Sequence, residues 1–429
     1  MSTEARIVIF INAIRPATFN AIKHYVDNNG TLIIEPVVLV DEKIKNSITI
    51  RNGQTELMSK VQFISADLDS AQSIRESLAK LDKEIIAVVS QYENSIHELQ
   101  KLIPYVPYLN IPSESSLTWA TEKKFMRDLF GAYDRSLVPK YIEIHELDEI
   151  RIDEIDKQIG YPAVIKPSGL EGALLVSQVN NKLELIEGLE KGFAYAQNAY
   201  DKWIKRQKPF FLVEEFMDGD MYSIDVYIDS DGNCVFTPIV RVITGKKVGY
   251  NDFFGYVRKT PVTDINDENL AQEASKKACL ALGLRSITAH VELMRMKDGT
   301  WKIIELGPRI GGYRHDMYMQ SFGINHIMND ILNRAGHDAS INTEIKGYSA
   351  LYNIYAKKEG KLKDIKGLDK VRHLQSVVDI KQSLRYGEEA LFARHNGDPV
   401  LDIMLFNSNL EQFNGDCETI EKELEVIVD

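Results

Sequence analysis

The chain has 429 residues, 44% hydrophobic and 27% charged, with a formal net charge of -12. That length exceeds one core and implies two or three globular domains. The acidic balance argues against broad binding to nucleic-acid backbones or anionic membranes, but a small phosphate ligand needs only a local basic cluster. Cys234, Cys279 and Cys417 form neither a zinc spacing nor a disulfide framework, which points to a reducing cytoplasm. The opening MSTEARIVIFINAI lacks a basic leader, and no apolar run reaches the length of a membrane span.

Strand and helix patterns alternate over residues 1–112. Arg6–Ile11, Leu32–Val40, Val61–Ile64 and Ile85–Ser90 read as strands; Ala17–Asn29, Ala71–Leu81 and Ser95–Leu102 read as helices. This order predicts a parallel sheet with helices on both faces. The first strand is followed by Asn12-Ala13-Ile14-Arg15-Pro16, which lacks the glycine fingerprint of a dinucleotide site. The domain is therefore expected to serve as scaffold or as one wall of a cleft.

Residues 113–255 form the second expected region. Leu117–Phe130 reads as one helix carrying Lys123, Lys124 and Arg127. Tyr161–Pro167 is an apolar strand ending in Lys166, followed by a small loop with Ser168, Gly169 and Gly172. A lysine at a strand mouth beside such a loop suits a phosphate. Lys182–Gln207 reads as a polar helix. Phe210–Met217 (FFLVEEFM) is a buried strand in which Glu214 and Glu215 face opposite sides. At least one needs a donor, and an adenine amino group would serve, with the Phe216 and Met217 backbone beside it. Met221–Ile228 is an alternating strand, and the glycine-bearing Thr244–Gly255 reads as a mobile lid loop.

Residues 256–429 form the third region. After the helix Asn269–Leu282, His290–Arg314 reads as a hairpin turning at Asp298-Gly299, a pair suited to a two-residue type I′ turn. That register sets Met294 opposite Ile303 and Glu292 opposite Glu305, with Trp301, Met294 and Ile303 on the same face. Opposed carboxylates, roughly 5 Å apart at Cβ, repel. Those neighbours offer no neutralising charge, and Mg²⁺ completed by substrate phosphates would compensate. His290 shares the face of Glu292. Arg309 follows four residues after Glu305 on a loop containing Gly311 and Gly312, and Arg314 is placed to clamp a substrate carboxylate. Met317–Asn333 reads as one helix. The tail has strand-like pieces at Ala350–Tyr355, Gln375–Ile380, Ala390–Arg394 and Val400–Phe406, with a helix near Thr419–Val426. It shows no chemistry and is expected to complete a sheet, with a homodimer contact as one option.

In order, EKKFMR, AVIKP, VEEFM, HVE, IIELG and GPRIGG resemble the ATP-grasp superfamily, specifically its carboxylate–amine ligases of the L-amino acid ligase type. The resemblance covers nearly the whole chain. It implies an α/β architecture, α+β in its catalytic part: a Rossmann-like pre-domain, a central lid and a C-terminal catalytic domain, with ATP between two antiparallel sheets. It implies Lys123 and Lys166 on the phosphates, and Ser168 and Gly172 in the adjoining loop. Glu214, Glu215, Phe216 and Met217 would form the adenine hinge. Glu292 and Glu305 would bind Mg²⁺, Arg309 and His290 would act at the reacting centre, and Arg314, Gly311 and Gly312 would contact substrate. Two positions depart from the pattern. Gly307 stands where the family usually has a metal-binding Asn, and Met221 where it often has a ribose-binding Glu, leaving Asp220 as the substitute. The implied activity is ATP-dependent joining of a carboxylate to an amine through an acyl phosphate, with a small-molecule carboxylate and amine as substrates and neither nucleic acid nor membrane as a partner. The rivals are a purine-pathway ligase using formate or bicarbonate, and a non-catalytic nucleotide-binding protein.

Overall fold

The computed structural model describes residues 5–25, 32–44, 60–169, 174–202, 208–250, 252–395 and 397–429. The expected parallel sheet is present near the N-terminus. Its strands are β1 (Arg6–Ile11), β2 (Ile34–Asp41), β3 (Gln62–Ala66) and β4 (Ile85–Val89), in the order β3-β2-β1-β4. Near-continuous apolar runs build it because both faces are covered. One face joins the main core, and the other packs Val8, Phe10 and Val38 against Ile327, Met328 and Ile331.

A second sheet of four antiparallel strands holds β5 (Tyr141–Ile144), β6 (Ala163–Pro167), β7 (Ser177–Val179) and β8 (Phe211–Glu215), in the order β5-β8-β6-β7. The helix Lys182–Lys202 covers its back, and Gly188 and Gly192 admit the Ile165 and Phe211 side chains.

The largest sheet has nine strands. They are β9 (Gly219–Ile228), β10 (Cys234–Phe236), β11 (Val240–Thr244), β12 (Gly255–Thr260), β13 (Ile287–Met296), β14 (Trp301–Gly307), β15 (Tyr348–Ile354), β17 (Val377–Gln382) and β19 (Leu401–Asn407). The order is β14-β13-β9-β11-β12-β15-β19-β17, with β10 on β9. The small sheet thus ends at Glu215, and the strands between 219 and 260 belong to the large one, although the sequence groups residues up to 255 with the lid. The tail completes this sheet as expected. Its remaining strands, β16 (Gly360–Lys366), β18 (Glu389–Ala390) and β20 (Glu425–Val428), form a small three-stranded sheet.

Two expected single helices are each broken. Leu117–Phe130 becomes Glu114–Trp119 and Lys123–Tyr133, so Lys123 opens a helix and does not lie inside one. Met317–Asn333 becomes Arg314–Phe322 and His326–Arg334, parted at Gly323 with φ +75°, a conformation glycine adopts without strain. The tail helix also runs earlier than expected, over Leu410–Glu423.

Val291, Leu293, Ile303 and Leu306 back the hairpin and are at most 1% exposed, packing with the helix Glu268–Ala281. Each such burial contributes about 1.5–3 kcal/mol. Among the described residues, no helix is long and apolar enough to cross a membrane.

Candidate active site

The hairpin reaches the expected carboxylate pair by a different route. Met296 N–H donates to Thr300 O at 2.8 Å, so the turn has three residues, Lys297, Asp298 and Gly299, with Gly299 at φ +83°. This is the turn that places a left-handed glycine third, and it shifts the register by one residue. Met294 therefore faces Lys302, and Leu293 faces Ile303. A bulge at Ile304 then restores the offset, and Glu292 faces Glu305. The longer turn thus puts Ile303 and Trp301 on the core face, contrary to the sequence reading, and the bulge leaves Ile304 beside Glu305 on the cavity. Arg127 Nη2 holds the bulge by donating to Ile304 O at 2.7 Å.

The carboxylates also have neutralising neighbours that the sequence reading did not find. Lys123 Nζ lies 3.2 Å from Glu305 Oε2. Burial opposes charge on Lys123, but Glu305 and Glu93 outweigh it and hold the pKa above its ordinary value. His290 Nε2 lies 3.7 Å from Glu292 Oε1. Burial would raise the Glu292 pKa, yet His290, Arg258 and Arg314 bring it below the ordinary value. Glu292 therefore remains a carboxylate, as a cation ligand must.

A cavity of about 280 Å³ opens between the small and large sheets. Val164 and Lys166 from β6, the stretch Glu214–Met221, Val242 and Thr244 from β11, and Lys246, Lys247 and Phe253 line it, with Lys123, Glu292 and Glu305 at its acidic end. Glu215, Phe216, Met217 and Asp220, the residues expected at a nucleotide hinge, all line the cavity. Glu215 Oε2 accepts from Lys140 N–H at 3.2 Å, and Phe216 N–H donates to Pro162 O at 3.3 Å. Met221 lines the cavity beside Asp220, which pairs with Lys247 at 3.4 Å.

Glu214 corrects the expectation of an adenine partner. It is 1% exposed and accepts from Arg127 Nε at 2.7 Å and Nη2 at 3.2 Å, with Lys166 Nζ at 2.5 Å from Oε2. Burial disfavours its charge, but the two cations prevail and lower its pKa. The same burial, only partly offset by Glu214, lowers the Lys166 pKa. Ser168 is fully buried, and its hydroxyl lies 3.4 Å from Glu122 Oε2. Gly172 falls outside the described residues. Within the expected lid loop, Gly245–Val248 is a 3₁₀ turn, and Lys246 reaches Gln178 on β7 at 2.5 Å.

Asp225 organises the far side of the carboxylate pair. It is fully buried and pairs with His290 in the β9/β13 register. Its carboxylate accepts from His290 Nδ1 and His326 Nε2, each at 2.5 Å, and from Gly311 N–H at 2.8 Å. Burial would raise its pKa, but the two histidines hold it far below the carboxylate range. His290 is raised in turn: Asp225 overcomes the effect of burial. Asp225 thereby fixes both His290, which faces Glu292, and the loop bearing Arg309. Gly311 permits that approach, since a Cβ there would meet His290 Nδ1 at 2.5 Å; Gly312 has open space around it. Arg309 pairs with Glu93 at 3.1 Å, which ties this loop to the N-terminal domain. Arg314 is 2% exposed and donates to Ser223 Oγ at 2.7 Å and Gly312 O at 3.2 Å.

The sequence reading missed Asp225, Arg127 and Glu93. Arg127 carries a signal, since it follows Lys123 by one helical turn and shares its face. Asp225 and Glu93 become site residues only through pairing between distant segments.

Residues 159–332 match the ATP-grasp domain family, a span that contains the cavity, both glutamates and the Arg309 loop. Beyond that span the likeness is one of fold: the chain has the ATP-grasp fold. It is 24% identical to D-alanine–D-alanine ligase A of Bacillus cereus, over 58% of this chain and 77% of that one. It is 28% identical to phosphoribosylamine–glycine ligase of Methanococcus vannielii, over 49% of this chain and 48% of that one. The fold is similar to that of an L-amino acid ligase from Bacillus licheniformis, with TM-score 0.78 and 20% identity over 100% of both chains. It is also similar to N5-carboxyaminoimidazole synthetase from Staphylococcus aureus complexed with ADP, with TM-score 0.68 and 15% identity over 97% of each chain.

Proposed function

We propose that this ATP-grasp protein joins an amino acid carboxylate to an amine, with ATP converted to ADP and phosphate through an acyl phosphate. The observation that carries this reading is the cavity that ends on Glu292 and Glu305 with Lys123 and Lys166 also in its lining. The adenine would lie along Glu215–Met217, between the two antiparallel sheets. Lys123 and Lys166 would neutralise phosphate oxygens, exchanging their present carboxylate partners for the nucleotide.

Glu292 and Glu305 suit Mg²⁺. They are opposed across the hairpin with side chains 26% and 31% exposed, and that ion takes one or two carboxylates plus phosphate oxygens. When bound, it would supply charge neutralisation at the transferred phosphoryl group. Gly307 provides no additional ligand from its side chain. Arg309 would stabilise developing negative charge on the acyl group, and Asp225 would keep His290 and the Arg309 loop in place. Catalysis of this kind rests on positioning and preorganised charge.

Among ATP-grasp ligases, the amino acid reading gains support from the likeness to the L-amino acid ligase over the full length of both chains. Incubation with Mg-ATP and the twenty amino acids, singly and in pairs, tests it. The expected result is pair-dependent phosphate release and a product at the summed mass minus water.

A further inference from the structure

The two outer strands of the nine-stranded sheet are treated differently. On β14, Lys302 Nζ donates to Val138 O at 2.9 Å and Ile304 O accepts from Arg127 at 2.7 Å, so the chain from Arg127 to Val138 lies against that edge. At the opposite edge, β17 pairs only with β19 among the described residues. Ser383 N–H donates to Val400 O at 3.0 Å. Antiparallel ladders alternate, so the backbone groups of Lys381 and Asp379 also face β19, while those of Ile380 and Gln382 point outward. Among the described residues, no other segment hydrogen-bonds to these outward groups. An open edge of this kind is a template for another strand.

The side chains decide which strand fits. Val377–Gln382 reads VVDIKQ, with Val378, Asp379, Lys381 and Gln382 exposed. Asp379 stands beside Met404 and Lys381 beside Asp402 in the register with β19. Met404 packs against Met317, so both charges project from the face that carries the helix Arg314–Phe322. There Asp379 acts on Asp316 of that helix: burial, and then Asp379, raise the Asp316 pKa. Among the described residues, none of Asp316, Asp379 and Lys381 is in an ion pair.

A second copy of the same strand is the complement. Antiparallel pairing centred on Ile380 joins it to the partner's Ile380 through the outward N–H and C=O of both. It sets Asp379 opposite the partner's Lys381, and Lys381 opposite the partner's Asp379. Asp379 then gains the cation it lacks beside Asp316, and two opposite-charge pairs span the seam. The smallest slip that keeps the hydrogen bonds moves one strand by about two residues. Slipped one way, Asp379 meets the partner's Asp379; slipped the other way, Lys381 meets the partner's Lys381. The charges that guard this edge against other strands therefore admit its own copy in one register.

We propose that β17 is a homodimer interface, joined edge to edge with a second copy of this chain so that the two large sheets run on as one. Pairing about a two-fold axis makes the strand its own complement, as an isologous contact requires. The contact is one strand wide, which places it in the small, weak class of interfaces, and its ion pairs make it sensitive to salt. The inference does not rest on the ligase reading, because no residue placed at the nucleotide or substrate takes part.

Sedimentation velocity of the full chain tests it, over concentrations from about 1 μM to about 1 mM, the range of weak interfaces. The expected result is a monomer–dimer equilibrium. Asp379→Lys and Lys381→Asp, each alone, should weaken it at least about 10-fold, because like charges then oppose across the seam. Mixed in equal amounts, the two variants should associate about as well as the native chain, since every Lys again meets an Asp. Ile380→Pro removes the outward N–H from an edge strand and should also disperse the dimer. Unchanged circular dichroism shows that each variant is folded. A native chain that stays monomeric throughout, a dimer indifferent to both charge reversals, or a mixture that associates no better than its parts would overturn the proposal.

Discussion

The two ends of the cleft treat positive charge in opposite ways. At the nucleotide end, Lys123 rests on Glu305, and Lys166 shares Glu214 with Arg127. Further across the sheet, Arg258 and Arg314 have only neutral partners. The proposed nucleotide would account for the first arrangement. A triphosphate arriving with a divalent ion brings its own positive charge, so cations there are stored on carboxylates and exchanged.

The largest expected effect comes from removing charge at the acidic end. Glu305→Gln should lower turnover by about 1,000-fold or more, with the fold unchanged by circular dichroism. Substantial residual activity would break the comparison at its stronger end. Next comes the buried trio. Arg127→Leu leaves Glu214 with Lys166 alone and frees the bulge carbonyl of Ile304. It should cost about 3–5 kcal/mol in urea unfolding, because removing one member of a buried ion pair strands the other. Asp225→Asn should be milder in stability but selective in kinetics. Partners behind metal ligands affect affinity or activity by about 10- to 100-fold, so the Mg²⁺ concentration for half-maximal rate should rise while nucleotide affinity is retained.

The smallest effect concerns His315, near the N-terminus of the Arg314–Phe322 helix. Burial, and then His326, lowers its pKa to about 4, against an ordinary value near 6.5. Between these values the unfolded chain binds the extra proton, so stability falls as pH drops from about 6.5 to 4. One such proton changes stability by about 1.4 kcal/mol per pH unit. His315→Gln should flatten that part of a melting-temperature profile; an unchanged slope would exclude this origin.

Much of this was legible in the sequence, for reasons that differ by region. The N-terminal sheet announces itself because parallel strands buried on both faces are continuously apolar. The Glu292/Glu305 pair was also legible, but through two offsetting differences: a longer turn at Gly299 and a bulge at Ile304. Turn length and bulges depend on backbone hydrogen bonds, here including the one from Arg127, and composition does not reveal them. The breaks at Ala120–Glu122 and Gly323 were hidden because apolar spacing continues across both. Asp402 and Asn353 were read as part of a chemically silent tail. They meet Arg258 only because β15 and β19 join β12 in one sheet.

The central claim is tested most directly by mass spectrometry of the products formed from Mg-ATP and paired amino acids. The account predicts ADP, phosphate and a single condensed product, all absent when Glu305 is replaced by Gln. Phosphate release that proceeds without any condensed product, from every pair tried, would contradict it.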